Sequence, residues 1–143
     1  MSEPLSPEQA DEVTRLYFEI FNAHDRDRFH EIIASDYVNH TRMGTLEGIE
    51  AFTEMILDFI DAVPDVHWSL LDERRDGDRI IYHYEVTGTH QGELMGVPGT
   101  GRELRFTGME MNRVANGKLA ETWNYVDMMS VLGQIGAPAK LHR

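Results

Sequence analysis

Val13, Leu16, Tyr17, Ile20 and Phe21 recur three and four residues apart, which predicts a helix with one apolar face. Its start is marked by Ser6-Pro7-Glu8-Gln9. Ser6 can accept from the Gln9 backbone, Gln9 can reach back, and Pro7 suits the first helical position. The polar run Asn22 to Asp27 ends it. A short helix with Phe29, Ile32 and Ile33 inward is expected next, then a short strand from Asp36 to His40. Ile49, Phe52, Ile56, Phe59 and Ile60 set a third helix from about Gly48 to Ala62, with Pro64 just beyond. Strand patterns follow. Val66 to Arg74 alternates loosely up to a turn at Arg75-Asp76-Gly77-Asp78, and Arg79 to His90 is rich in Ile, Tyr, Val and Thr. Gln91 to Arg102 holds four glycines and Pro98, so it reads as a loop. Glu103 to Val114 and Lys118 to Asp127 form a hairpin around Asn116-Gly117, and Asp127 is placed to cap a final short helix. Helices followed by an antiparallel meander imply an α+β fold. One twisted sheet curls and the helices close its concave side. No repeat, linker or low-complexity tract divides the chain, so residues 1–143 are expected to form a single domain.

The hairpin register decides which side chains share a face. A two-residue turn would set Glu110 opposite Trp123. A three-residue turn, with Gly117 left-handed in a bulge, would set it opposite Thr122. The second is the expectation. It gathers Glu110, Asn112, Thr122 and Asn124 on one face, the wall of a ligand pocket. Met109, Met111, Trp123 and Tyr125 fall on the other. Large apolar groups on an outer sheet face mark an interface, so a homodimer through that face is expected.

Composition narrows the partners. With 13 Lys+Arg against 25 Asp+Glu the formal charge is −12, which disfavours nucleic acid and anionic membranes. There is no cysteine, so disulfides, thiolate nucleophiles and cysteine-bound metals are excluded. The N-terminus lacks the basic and apolar segments of a signal peptide, and no apolar run approaches the ~20 residues that span a bilayer. A cytoplasmic location is the expectation.

The ordered set Ala62-Val63-Pro64-Asp65, Gly77-Asp78-Arg79, Gly88-Thr89-His90-Gln91-Gly92, Gly96-Val97-Pro98, Thr100-Gly101-Arg102, Asn116-Gly117-Lys118 and Glu121-Thr122-Trp123 through to Gln134-Ile135-Gly136 resembles the SnoaL-like polyketide cyclases, or ester cyclases, of the nuclear-transport-factor-2-like superfamily. The resemblance runs from Val13 to Gly136. It implies a cone-shaped barrel: a curved antiparallel sheet, three N-terminal helices closing an apolar cavity, and a short C-terminal helix. It also implies intramolecular aldol closure of a polyketide ester without metal or organic cofactor. In that pattern an Asp on the last long strand is acid and base, and a His on the neighbouring strand assists. Those positions carry Asn124 and Glu110 here, and Asn124 cannot exchange a proton usefully.

Residue chemistry supplies the rest of the expected site. Glu110, desolvated in an apolar cavity, would be a base of near-neutral pKa, with Asn124 donating to a substrate carbonyl. The alternatives are an ion pair from Glu110 to Arg102, Arg105 or Arg113, and an Asn124 amide satisfied by backbone. His40, ending the first strand, is expected to serve as a pocket proton donor or substrate contact. His90 sits at the rim. His83 and Glu85 alternate with Tyr82 and Tyr84, and either pair can face inward. His90, His83, Thr122, Asn112, Tyr17, Phe59 and Met95 are the expected substrate-binding residues. His24, His30 and His142 read as surface. No histidine pair has zinc spacing, so no metal is expected. The loop of residues 92–101 lacks the features of a phosphate cradle and reads as the cavity mouth. The expected activity is thus cofactor-free acid–base chemistry on an apolar, polyketide-like carbonyl compound, by aldol-type cyclisation or isomerisation. The alternative is a small-molecule binding protein or dimeric interaction domain that kept the cavity without the cyclase Asp.

Overall fold

The computed structural model describes residues 3–136. Helix α1, Pro7–Ala23, begins as its sequence requires, with Ser6 and Gln9 in a reciprocal capping box. The expected second helix is a short 3-10 helix, Arg26–Glu31. Its chain becomes strand at once, so Ile33 opens β1, Ile33–Thr41, instead of closing a helix. Both Ile32 and Ile33 are buried, as expected. An unexpected strand, β2 (Gly44–Glu47), folds back on β1. Helix α2, Ile49–Ala62, is followed by β3 (His67–Asp76), β4 (Arg79–Thr89), β5 (Glu103–Ala115), β6 (Lys118–Val126) and α3 (Met128–Gln134). Asp127 caps α3 through the Ser130 N–H.

The strands form a six-stranded sheet in the order β2-β1-β6-β5-β4-β3. Every pairing is antiparallel except β1 with β6, which is parallel, so the sheet is not the purely antiparallel one expected. The fold class is α+β. Helix α1 packs on the inner face at β3 and β4. The Tyr17 ring stacks on Tyr82 at 5.3 Å between centroids, and Thr14 Oγ1 meets the Tyr82 hydroxyl at 2.8 Å. Asn22 ties the end of α1 to β3 by bonding both the N–H and the carbonyl of Trp68. Among the described residues no helix is long and apolar enough to cross a membrane.

The hairpin register differs from the expected one. The turn holds two residues, with Ala115 opposite Lys118. Asn116 and Gly117 both adopt positive φ, the geometry that matches strand twist in a tight hairpin. The bulge sits two residues further on, between the Arg113 and Val114 pairs, so that Glu110 faces Asn124 instead of Thr122. A shift of two residues conserves parity. Glu110, Asn112 and Thr122 therefore still share the inner face, all buried, while Met109 and Tyr125 stand exposed on the outer one.

Candidate active site

Between the inner sheet face, α2, the β1–β2 hairpin and the loop after β4 lies a cavity of about 450 Å³. Its walls are mainly apolar: Met55, Ile56 and Phe59 from α2, Trp68 from β3, Val86 from β4, and Phe106 from β5. Ile56 and Phe59 belong to the helical stripe yet are only partly buried, because the cavity lies before them. The mouth is built from Thr41, Arg42, Met43 and Thr45 on the β1–β2 hairpin and from Leu94 and Met95 across it. Met95 and Gly96, both at positive φ, make the tight turn that returns Val97 to Leu94. Arg42 carries no ion pair among the described residues.

Polar groups reach the inner cavity wall at Tyr84 and Asn124. Tyr84 stands on β4 and Asn124 on β6, with β5 between them. The Tyr84 ring crosses β5 at Gly108, which lies opposite it in register. A Cβ at Gly108 would collide with the Tyr84 hydroxyl and ring. The missing side chain lets the hydroxyl reach Asn124 Oδ1 at 2.7 Å.

Behind this pair lies a polar vault. Glu110 is 5% exposed and points inward without lining the cavity. Asn112 Nδ2 donates to Glu110 Oε1 at 3.3 Å and to the Ile80 carbonyl, and the Thr122 hydroxyl donates to Asn112 Oδ1 at 2.6 Å. Tyr17, Tyr37, Tyr82 and Tyr84 all lie close enough to feel the Glu110 charge. Burial pushes the Glu110 carboxyl up to about 7, against the opposing pull of Tyr17 and Asn112 hydrogen bonds. The anticipated ion pairs are absent. Arg105 binds Glu85, Arg113 binds Glu121 and Arg102 binds the Gln134 carbonyl. Nor does backbone satisfy Asn124; Tyr84 does. A buried carboxyl without a cation stays neutral to unusually high pH, which is the property of an acid–base group.

The expected site residues divide into three groups. Asn124, Phe59 and Met95 line the cavity. Glu110, Asn112, Thr122 and Tyr17 are brought together in the vault behind it. His40, His83 and His90 belong to neither, which corrects the pocket role expected for all three. On β1, Tyr37 and Asn39 are buried, so the intervening side chains face outward. His40 accordingly stacks on Trp123 at 5.2 Å and meets Glu121 Oε2 at 2.6 Å on the outer face. On β4, Tyr82 and Tyr84 are the inward pair, which turns His83 to the outer face opposite Met109. Tyrosine is the cheaper residue to bury, since histidine and glutamate must also be neutralised; the parity was readable from that difference.

His90 is fully buried but does not line the cavity. Its Nδ1 accepts from the Thr100 N–H and lies 2.9 Å from Thr100 Oγ1. His90 N bonds the Arg102 carbonyl and Gly101 N bonds His90 O, so this residue closes the base of the mouth loop. His24 is partly buried with Nε2 on the Val66 carbonyl at 2.8 Å, instead of lying free on the surface; His142 lies outside the described residues. Among the described residues no three His, Asp or Glu side chains gather as a metal site would need.

Residues 11–135 match the family described as SnoaL-like polyketide cyclase. Aklanonic acid methyl ester cyclase DauD of Streptomyces sp. (strain C5) is 29% identical over 140 residues, covering 94% of this chain and 84% of its own. Nogalonic acid methyl ester cyclase of Streptomyces nogalater is 28% identical over 122 residues, covering 82% and 90%. Among solved structures, IdmH of Streptomyces antibioticus aligns with a TM-score of 0.79 at 30% identity, covering 90% of this chain and 99% of its own.

Proposed function

We propose that this chain, which belongs to the SnoaL-like polyketide cyclase family, closes a ring in an apolar carbonyl compound by acid–base chemistry within the cavity. The reaction class is intramolecular aldol closure. A base takes a proton from the carbon beside one carbonyl. The resulting carbanion forms a carbon–carbon bond to a second carbonyl, whose oxygen then takes the proton back. No atoms are gained or lost. Two groups suit these steps. The Asn124 amide can hydrogen-bond the carbonyl oxygen on which enolate charge develops, and Glu110, across the strand pair from it, has the pKa of a working base.

The observation that carries the reading is Glu110, buried with no cation paired to it among the described residues, beside an apolar cavity in a chain of this family. Its test is turnover of a β-keto ester with a tethered second ketone, followed by absorbance. Wild-type turnover should rise with pH through about 7 as the carboxyl ionises, and Glu110→Gln should lose about a hundredfold or more in kcat, the low end of what one general base contributes. Equal rates in the two proteins remove Glu110 from the role.

A second reading has its own observation: among the described residues no carboxylate lines the cavity. A binding protein needs none, and it would hold the same ketones without consuming them. A second copy is the proposed partner, packed through the outer sheet face where Met109 and Tyr125 are exposed. A cytoplasmic location suits a chain without cysteine.

A further inference from the structure

We infer that Tyr84 is a positioning residue that fixes the polarity of the cavity floor, so that the site takes ligands bearing a hydrogen-bond acceptor and refuses those bearing only a donor. The inference deepens the carbonyl reading above but is measured by binding alone. An asparagine amide presents an acceptor and two donors, and it can exchange them by rotation. Left free at a cavity wall, Asn124 would serve a ketone or an N–H compound equally well. Tyr84 removes the choice. Its hydroxyl is buried, and among the described residues its one hydrogen-bond partner is Asn124 Oδ1, at 2.7 Å. A buried hydroxyl hydrogen needs an acceptor, and the amide oxygen is the one in reach. That bond fixes which way the amide faces and occupies one lone pair of its oxygen, so the free NH2 is the stronger group the pair offers a cavity ligand. Burial and the neighbouring Glu110 charge keep the phenol well above its ordinary pKa, so it remains a donor at every working pH.

Gly108 is part of the same device. Tyr84 reaches across a whole strand to Asn124 only because β5 carries no side chain where the ring passes. Its φ is not in the left-handed region, so space, not backbone conformation, calls for glycine there. The three residues thus form one unit spanning β4, β5 and β6: a gap, a ring laid through it, and an amide locked by the ring's hydroxyl.

Three tricyclic probes of nearly one shape test this. Fluorenone offers only an acceptor, carbazole only a donor, and fluorene neither. Affinities are read by quenching of tryptophan emission, since Trp68 lines the cavity. In the wild type fluorenone should bind about fivefold more tightly than fluorene, the worth of one net hydrogen bond, and carbazole should gain nothing over fluorene. Tyr84→Phe keeps the ring and frees the amide, so the fluorenone preference should shrink and carbazole should become the tighter partner of the carbazole–fluorene pair. Gly108→Ala, which displaces the ring, should relax selectivity in the same sense, and Asn124→Leu should abolish all preference. A purely structural role for Tyr84 would weaken all three probes together and leave their ratios intact. A wild type that does not prefer fluorenone, or a Tyr84→Phe protein with wild-type ratios, overturns the proposal. Failure of the cyclase reading shows instead as absent turnover with these ratios preserved.

Discussion

Replacing Glu110 by glutamine should stabilise the protein above neutrality and not below about pH 5. The carboxyl titrates near 7 in the folded chain, against an ordinary value of 4.5. At 1.36 kcal/mol per unit, that displacement corresponds to ~3 kcal/mol. The sign follows from proton occupancy. Between 4.5 and about 7 the folded state holds a proton that the unfolded state has released, so stability falls as pH rises across that window. Above it the native chain carries an ionised group in a site with no cation among the described residues. Glutamine keeps the shape and cannot ionise. The comparison is best made as a double difference: urea unfolding of both proteins at about pH 5 and about pH 8, subtracting the variant's own effect at low pH. Carboxylates held below their ordinary range by partners, such as Glu121 beside His40 and Arg113, titrate under this window and contribute equally to both proteins. The expected result is a gain of ~3 kcal/mol for Glu110→Gln at the higher pH relative to the lower, or roughly 10 °C in midpoint for a chain of this length. Parallel pH profiles, agreeing within about 0.5 kcal/mol, would mean that the carboxyl is solvated or paired in solution, and the acid–base assignment would fall with it.

Other substitutions probe the surrounding architecture. Thr122→Val leaves Asn112 Oδ1 without its 2.6 Å donor in a fully buried site, and should cost ~1–3 kcal/mol in urea unfolding. Gly108→Ala places a methyl group where the Tyr84 ring lies, and should lower stability by ~1–3 kcal/mol, measured the same way. On the outer face, Met109→Asp with Tyr125→Asp adds charge to two exposed apolar side chains. Light scattering should show a dimer for the wild type and a monomer for the double variant, with circular dichroism unchanged; a monomeric wild type would refute the partner assignment.

Most of the fold was legible because strong periodicity and strong punctuation coincide in this chain. The capping box at Ser6, the α2 stripe and the Asn116-Gly117 turn each specify local structure by chemistry confined to a few neighbouring residues. What escaped depends on distant neighbours. Residues 44–47 are strand only because β1 supplies a partner; the sequence Gly-Thr-Leu-Glu has no alternation long enough to announce it. Ile33 is buried in either conformation, so burial pattern alone could not separate a helix end from a strand start. The bulge at the β5–β6 hairpin was assigned to the turn and lies beyond it. The inner-face set survived that error because two compensating residues restore parity. The histidines were harder. His40 was judged by its place at a strand end, whereas its orientation is fixed by Tyr37 and Asn39 on either side of the preceding turn of the pleat. Tyr84 went unassigned since its role needs Gly108 on the next strand and Asn124 on the one after, a juxtaposition that no local pattern encodes.

The balance between catalysis and mere binding turns on the energetic oddity of the vault. A binding protein of this shape gains nothing from Glu110. Among the described residues the carboxyl makes no ion pair and does not line the cavity, and at neutral pH it leaves the fold short of stability by ~3 kcal/mol, a large share of the ~5–15 kcal/mol a domain typically has. Glutamine would accept the Tyr17 hydrogen bond and occupy the same space at no such cost. Residues that break a local energetic rule without a structural return concentrate at functional sites. Here the rule is broken directly opposite the Asn124 amide, on the partner strand of the same hairpin. Asn124 stands directly opposite Glu110 in the β5–β6 register, so a ligand bonded to that amide lies within reach of the carboxyl's electrostatic field. A ligand-dependent change in proton binding follows: fluorenone binding at about pH 7 should change the Glu110 charge and so take up or release a fraction of a proton, read by calorimetry in buffers of differing ionisation enthalpy. A wild type that exchanges no more protons than Glu110→Gln would sever the vault from the cavity and leave the binding reading in possession of the site.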